Sequence, residues 1–249
     1  SVRAEQVTQL VLGETASVSE RAGEWLRITT ALDGYDGWVH EGYVRVVPAD
    51  EAGAWRRRAR LWWEGGSLSV DGAETPLPLR ARLAPAGDAA ELPDGRRGRP
   101  APGVARAGSA VAADAGRMPA ETWALEHFRG APYQWGGLTP WGVDCSGLVQ
   151  TTYLARGLVL PRDASQQAGA GEPVALDALR PGDLLFFRGE TTSAITHVAF
   201  FTEGDALVHS TIALGGVVHE PFTAGSRAGD LLRPRLAGAR RVATRERAR

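Results

Sequence analysis

Lysine is absent from this chain of 249 residues, and all 28 basic side chains are arginine. With its abundance of alanine and glycine, that bias points to a GC-rich coding sequence and carries no chemistry of its own. Cysteine is almost absent as well. Cys145 stands alone, so no internal disulfide can form, and an oxidising compartment is neither implied nor excluded. An excess of charge of one sign is also lacking: the formal net charge of -1 argues against a general binder of nucleic acid or anionic membrane. No apolar run approaches the ~20 residues that cross a bilayer as a helix. The chain opens Ser1-Val2-Arg3, with no methionine and no signal-like apolar stretch, so a processed or trimmed terminus is expected.

What is present is ordinary globular material. A hydrophobic content of 43%, with 31 glycines and 15 prolines, suits a loop-rich chain of two or three domains. The most informative stretch runs Tyr133-Gln134-Trp135-Gly136-Gly137, then Gly142-Val143-Asp144-Cys145-Ser146-Gly147. From Ser146 to Arg156 the positions Leu148, Val149, Thr152 and Ala155 recur at helical spacing, and Gly157 is suited to end the helix. Cys145 then falls at the helix N-terminus, where unpaired N–H groups and the helix dipole favour a thiolate. A free cysteine is also commonly a small buried hydrophobe, so nucleophile and core filler both remain open until a base is found.

A base is available downstream. Ile195 to Thr202 reads as a strand, Glu203-Gly204-Asp205 as a turn and Ala206 to Thr211 as the returning strand. Alternation places His197 with Ala199 and Phe201, and His209 with Leu207 and Thr211, so the two histidines face each other nearly opposite on one side of a hairpin. Nucleophile, base and a third group that holds the base are the components of covalent catalysis. His197 and His209 lack a third ligand at metal-site spacing, so no metal and no cofactor is expected. His40, His127 and His219 show no partner pattern. Glu121 to Phe128 has helical spacing that suits core packing.

These blocks, with Leu160-Pro161-Arg162-Asp163, Ser165-Gln166-Gln167 and Pro181-Gly182-Asp183-Leu184-Leu185-Phe186-Phe187, resemble the NlpC/P60 cysteine peptidases over residues 115 to 235 or so. The resemblance implies an α+β, papain-like domain, residues 115–240, that cleaves peptidoglycan stem peptides between D-γ-glutamate and the diamino acid. It implies Cys145 as nucleophile, His197 as general base and His209 as the orienting residue. Tyr133 and Trp135 would line the groove, Asp144 and Ser146 would contact the dipeptide, and Asp163 would bind a free substrate amine. The Tyr133 hydroxyl and the Cys145 N–H would serve the oxyanion. Asp163 can also be read as a helix N-cap before Ala164-Ser165-Gln166-Gln167. Ala164 stands where relatives often carry a hydroxyl or another small residue.

Residues 1–48 show short β-prone runs at Val7 to Leu12, Ala16 to Ser19, Trp25 to Thr30 and Gly37 to His40, as in a small barrel. The Gly13-Glu14 turn and Gly34-Tyr35-Asp36-Gly37-Trp38-Val39 resemble a bacterial SH3 (SH3b) domain. By that resemblance Tyr35 and Glu14 would contact substrate, while Trp38 fills the barrel's surface cleft. Residues 49–110 are assigned to a second, divergent SH3b domain. The signals there are a strand pair from Leu61 to Val70 around Gly65-Gly66, strands at Leu79 to Leu83 and Ala89 to Leu92, and the Pro93-Asp94-Gly95-Arg96 turn. Arg56 to Arg60 reads as a solvated basic face. Gly98 to Ala115 reads as the crossing segment, and Arg240 to Arg249 as a frayed tail.

The expected architecture is therefore multidomain: one or two small all-β SH3b barrels before an α+β catalytic domain. The expected partner is a peptidoglycan stem peptide, L-Ala-γ-D-Glu-diamino acid, as a soluble muropeptide with a free N-terminal L-Ala, and the expected compartment is the cytoplasm. The alternatives are an exported endopeptidase acting on intact wall, its signal peptide missing from this chain, and a non-catalytic wall-binding protein.

Overall fold

Short β-prone runs separated by glycine turns become strands in the computed structural model, which describes residues 4–243. The chain divides into two units, Ser1–Val111 and Ala112–Arg249. In the first, β1 (Ala16–Ala22), β2 (Trp25–Thr30) and β3 (Asp36–His40) form an antiparallel sheet in that order. Leu26 and Ile28 of β2 point into its core. Val7 to Leu12, expected as a strand, is not one. Its end is held instead by irregular bonds, with Leu12 accepting from the Arg82 N–H at 2.8 Å. α1 (Ala49–Arg58) was not foreseen. It buries no residue, but Asp50 and Glu51 in its first turn and Arg56 to Arg58 in its last complement the helix dipole.

β4 (Leu61–Trp63), β5 (Ser67–Val70), β6 (Ala73–Pro76), β7 (Arg82–Ala86), β8 (Ala89–Glu91), β9 (Arg97–Pro100) and β10 (Ala105–Ala107) form a seven-stranded sheet ordered β10-β4-β7-β8-β9-β5-β6. The expected β4–β5 hairpin does not form. Gly65 (φ 108°) and Gly66 (φ 85°) send the chain away, so β4 pairs with β7 and β10 while β5 pairs with β6 and β9. The expected strand Leu79 to Leu83 begins later, at Arg82. Gly98 to Ala115, expected as a crossing segment, is instead sheet followed by α2 (Gly108–Ala115). A Cβ on Gly98 would sit 2.3 Å from the Ser69 carbonyl oxygen, so this glycine serves close packing and not flexibility.

The second unit contains α3 (Ala120–Phe128), the two-residue strands β11 (Leu138–Thr139) and β12 (Gly142–Val143), α4 (Cys145–Ala155) and α5 (Ala164–Gln167). β13 (Glu172–Val174), β14 (Leu184–Arg188), β15 (Ile195–Thr202), β16 (Ala206–Thr211) and β17 (Gly216–Pro221) follow, then α6 (Arg227–Leu232) and β18 (Leu236–Arg241). Arg240 and Arg241, expected in the frayed tail, thus belong to a strand, and residues 244–249 lie outside the described ones. The antiparallel sheet is ordered β13-β18-β14-β15-β16-β17. One face carries Leu185, Phe187, Ala199, Phe201 and Leu207 against Phe222, Ala228 and Leu232, the last two on α6. On the other, Phe200 stacks on Tyr153 of α4 with ring centroids 6.2 Å apart. Coverage on both faces explains why Leu184 to Phe187 is apolar without alternation. α4 is buried all round, contrary to the one-sided spacing expected. Its polar residues bond locally, as when Thr151 Oγ1 donates to the Leu138 carbonyl at 2.9 Å. Among the described residues no helix is long and apolar enough to cross a membrane.

Glu14 requires a correction. Expected as an acid for substrate, it is committed within the first unit, where Oε1 accepts from Arg80 Nε at 3.1 Å and Oε2 from the Val11 N–H at 3.0 Å. Both side chains are buried, at 9% and 1% exposed, so each charge depends on the other. Glu14→Ala should therefore cost about 3–5 kcal/mol in urea unfolding, because it strands the Arg80 guanidinium, whereas an apolar pair at both positions should recover most of that loss. A loss under about 1 kcal/mol for Glu14→Ala would show the pair to be hydrated.

Candidate active site

Asp144 precedes α4 with extended backbone (φ −94°, ψ 178°), the conformation of an N-cap. Its Oδ1 accepts from the Gly147 N–H at 2.7 Å and the Ser146 hydroxyl at 3.3 Å. Its Oδ2 accepts from the Gly136 N–H at 2.8 Å and from Arg162 Nη2 at 2.6 Å. Four donors occupy the four lone-pair sectors of a carboxylate. Asp144 was expected beside the dipeptide; with its acceptors saturated and only 5% exposed, it is instead a positioning residue. Ser146, also buried, accepts from Arg162 Nη1 at 2.8 Å and so joins the same network. The glycines of the motif have one steric reason. A Cβ on Gly147 would lie 2.1 Å from the Gly137 carbonyl oxygen, so the loop and the helix end can meet only without side chains. At the far end, Leu158 N–H bonds the Tyr153 carbonyl and Gly157 N–H the Leu154 carbonyl, with Gly157 at φ 77°, the Schellman stop expected of that glycine.

Cys145 is the first residue of α4 and is 5% exposed. It lies where the sheet splays. β15 and β16 pair only from Phe200↔Val208 to Thr202↔Ala206, which frees the backbone of β15 before Phe200 on that side. The Sγ donates to the Thr196 carbonyl at 4.0 Å and is stabilised in its charged form by the Val198 N–H. Burial nevertheless pushes the thiol up to about 12, with the neighbouring Asp144 charge acting the same way. The helix N-terminus was expected to favour a thiolate. Here it loses to desolvation and to the carboxylate that caps it.

His197 and His209 lie on one face of the sheet, as expected. They are diagonal neighbours and not directly opposite: continuing the observed register places Ala199 across from His209. His197 Nε2 and His209 Nδ1 are 2.7 Å apart, and the rings meet at 71°. His209 is 1% exposed, and its Nε2 lies 2.7 Å from Glu220 Oε1 on β17. Arg227 grips the same carboxylate, its Nε 3.0 Å from Oε2. A carboxylate only accepts, so His209 Nε2 carries hydrogen, its Nδ1 accepts from His197 Nε2–H, and His197 Nδ1 holds the free lone pair. Burial, the nearby His209 and Arg235 hold His197 well below the usual imidazole range. Burial would raise Glu220, but hydrogen bonds from His209 and Arg227 bring it below the usual carboxylate range.

Glu220 and Arg227 were missed by sequence reasoning. The available signal was parity: Glu220 pairs with Leu207 and so shares a face with His209.

The structure thus gathers Cys145, Asp144 and Ser146 at one helix end and His197 and His209 in one relay. No hydrogen bond joins thiol and imidazole among the described residues, since Sγ turns to Thr196. The Tyr133 phenol is kept protonated first by burial, with the Asp144 charge acting the same way, and it lies close enough to Cys145 for an ionised thiol to add to that effect. Trp135 is 53% exposed. Asp163 is half-buried beside Arg162 and stands at the N-cap position of α5 with extended backbone (φ −88°, ψ 141°), as that reading expected, but its side chain makes no capping bond there. Tyr35 belongs to the first unit, where its N–H donates to Thr30 Oγ1 at 2.9 Å. Among the described residues no group of three or more His, Cys, Asp or Glu is disposed to hold a metal ion.

Against known proteins, residues 130–235 match the model of the NlpC/P60 family and residues 1–42 that of the bacterial dipeptidyl-peptidase Sh3 domain. The gamma-D-glutamyl-L-lysine dipeptidyl-peptidase of Bacillus subtilis is 31% identical over 220 residues, covering 82% of this chain and 71% of that protein. The enzyme of the same name from Bacillus cereus is 28% identical over 231 residues, covering 82% and 66%. An NlpC/P60 family protein from Bacillus cereus superposes with a TM-score of 0.76 at 23% identity, over 94% of this chain and 81% of that one.

Cys145 is the single thiol, so alkylation by iodoacetamide reports on it alone. With the thiol neutral, the rate should climb about tenfold per pH unit from about pH 6 to about pH 9, following the thiolate fraction. A rate independent of pH across that range would mean a preformed thiolate–imidazolium pair.

Proposed function

The chain belongs to the NlpC/P60 family of cysteine peptidases, and we propose that it hydrolyses the amide bond between D-γ-glutamate and the diamino acid of peptidoglycan stem peptides that carry a free N-terminal L-Ala. The observation that carries the reading is the relay Arg227–Glu220–His209–His197, together with a buried thiol at a helix N-terminus whose Sγ reaches the carbonyl of Thr196, the residue before His197. The name of the Bacillus subtilis relative supports the choice of bond. Substrate binding turns the Cys145 thiol from the Thr196 carbonyl to His197 Nδ1, which takes its proton as sulfur attacks the γ-carbonyl. The backbone N–H of Cys145 and the Tyr133 hydroxyl stabilise the oxyanion. The imidazolium then returns the proton to the leaving amine. Water, deprotonated by the same nitrogen, resolves the thioester.

His209 fixes the ring and Glu220 fixes His209. Because His197 is held low by burial, the base remains neutral below pH 6.5, and the acid limb of kcat/KM should fall under that value. Glu220→Gln keeps the shape but removes the obligate acceptor. It should lower kcat by roughly 10²-fold with KM little changed; an unchanged kcat would remove Glu220 from the relay.

Asp163 is the proposed partner of the substrate ammonium, and Trp135 and Tyr133 the groove walls. A site built on that ammonium rejects an acylated stem, because the amide in its place brings no positive charge to the Asp163 carboxylate. The free tripeptide L-Ala-γ-D-Glu-diamino acid should therefore be cleaved and its N-acylated form should not, with Asp163→Ala impairing only the former. Equal cleavage of both forms, with equal losses in the variant, would point to an open-groove wall endopeptidase.

A further inference from the structure

The first unit contains a cleft of about 710 Å³ that the peptidase reading does not use. Arg56, Arg60 and Arg82 line it, together with the hydroxyl residues Thr15 and Ser109 and an apolar wall that includes Leu61. Arg56 and Arg60 begin and end the basic run Arg56 to Arg60, whose expected role is a solvated face. The one acid of the lining, Glu14, is hydrogen-bonded to the buried Arg80, and its charge also acts on Arg82, which leaves the lining with a net positive balance. Among the described residues none of the three lining guanidinium groups forms an ion pair.

Arg82 is held firmly. Its Cζ stacks 4.7 Å over the Trp62 ring, and its Nη1 lies 3.4 Å from where a Cβ of Gly108 would be, at the first residue of α2. The Gly108 N–H bonds the Arg60 carbonyl at 3.0 Å, so Arg60 is tied to the same helix end. A cation at a helix N-terminus is unfavourable for the dipole. An anion held between the Arg82 guanidinium and the start of α2 would reverse that. The cleft falls within the volume range of small-molecule sites and is too large for a simple halide.

We propose that this cleft binds a small phosphate-bearing molecule, its phosphoryl oxygens at Arg60, Arg82 and the start of α2 and its remainder against the wall at Leu61. A phosphomonoester or pyrophosphate concentrates two or more charges on one tetrahedral group, which several guanidinium forks can share; a lone carboxylate offers one charge to three cations.

The test is calorimetric titration of the full chain with inorganic pyrophosphate at fixed ionic strength, beside citrate and acetate. One molecule of pyrophosphate per chain should bind, more tightly than citrate by at least tenfold. Arg60→Gln and Arg82→Gln should each weaken it tenfold or more, and Arg57→Gln, a neighbour that does not line the cleft, less than twofold. Should Arg82→Gln unfold through loss of the Trp62 stack, the exposed Arg60→Gln carries the test. No binding, citrate bound as tightly, or an equal loss in Arg57→Gln would overturn the proposal.

Discussion

A single carboxylate ties together the parts of the chain that form the site. Asp144 caps α4 through Gly147, holds the loop at Gly136 and anchors the segment at Arg162, all with 7% of its side chain exposed. Such a charge is costly to bury and is tolerated because every acceptor is filled and a guanidinium 2.6 Å away balances it. The Trp-Gly-Gly and Cys-Ser-Gly motifs are two sides of one contact, since the Gly136 N–H bonds the Asp144 carboxylate and a Cβ on Gly147 would strike the Gly137 carbonyl oxygen.

The same carboxylate shapes the chemistry. By standing next to Cys145 it works with burial to keep the sulfur protonated, while burial keeps His197 neutral. Both shifts favour neutral forms of the thiol and the imidazole at rest. Glu220 is the counterpart on the sheet side. Its charge, pinned by Arg227, orders two imidazoles in series and leaves the free lone pair on one defined nitrogen.

Much of this was legible in the residues, wherever local chemistry decides. The hairpin bearing both histidines has the expected bounds, Ile195–Thr202 and Ala206–Thr211, because Glu203-Gly204-Asp205 is an unambiguous turn with Gly204 at φ 71°. The start and stop of α4 were legible for the same reason. What escaped depends on pairing between distant segments. Glu220 lies in a strand with no motif, and only the register of β16 with β17 brings it to His209. β4 and β5 take separate partners because Gly65 and Gly66 divert the chain, which composition does not disclose. The protonation of Cys145 was misjudged because helix position is visible in a sequence and burial is not.

The central claim is that Cys145 forms a covalent acyl intermediate with the γ-glutamyl carbonyl. Intact-mass and peptide mapping of the chain, acid-quenched during turnover of the free tripeptide, test it directly. The account predicts L-Ala-γ-D-Glu esterified to Cys145 and lost on further incubation, with no product formed by Cys145→Ala. Turnover with the label on another residue, or product formed by Cys145→Ala at the wild-type rate, would contradict it.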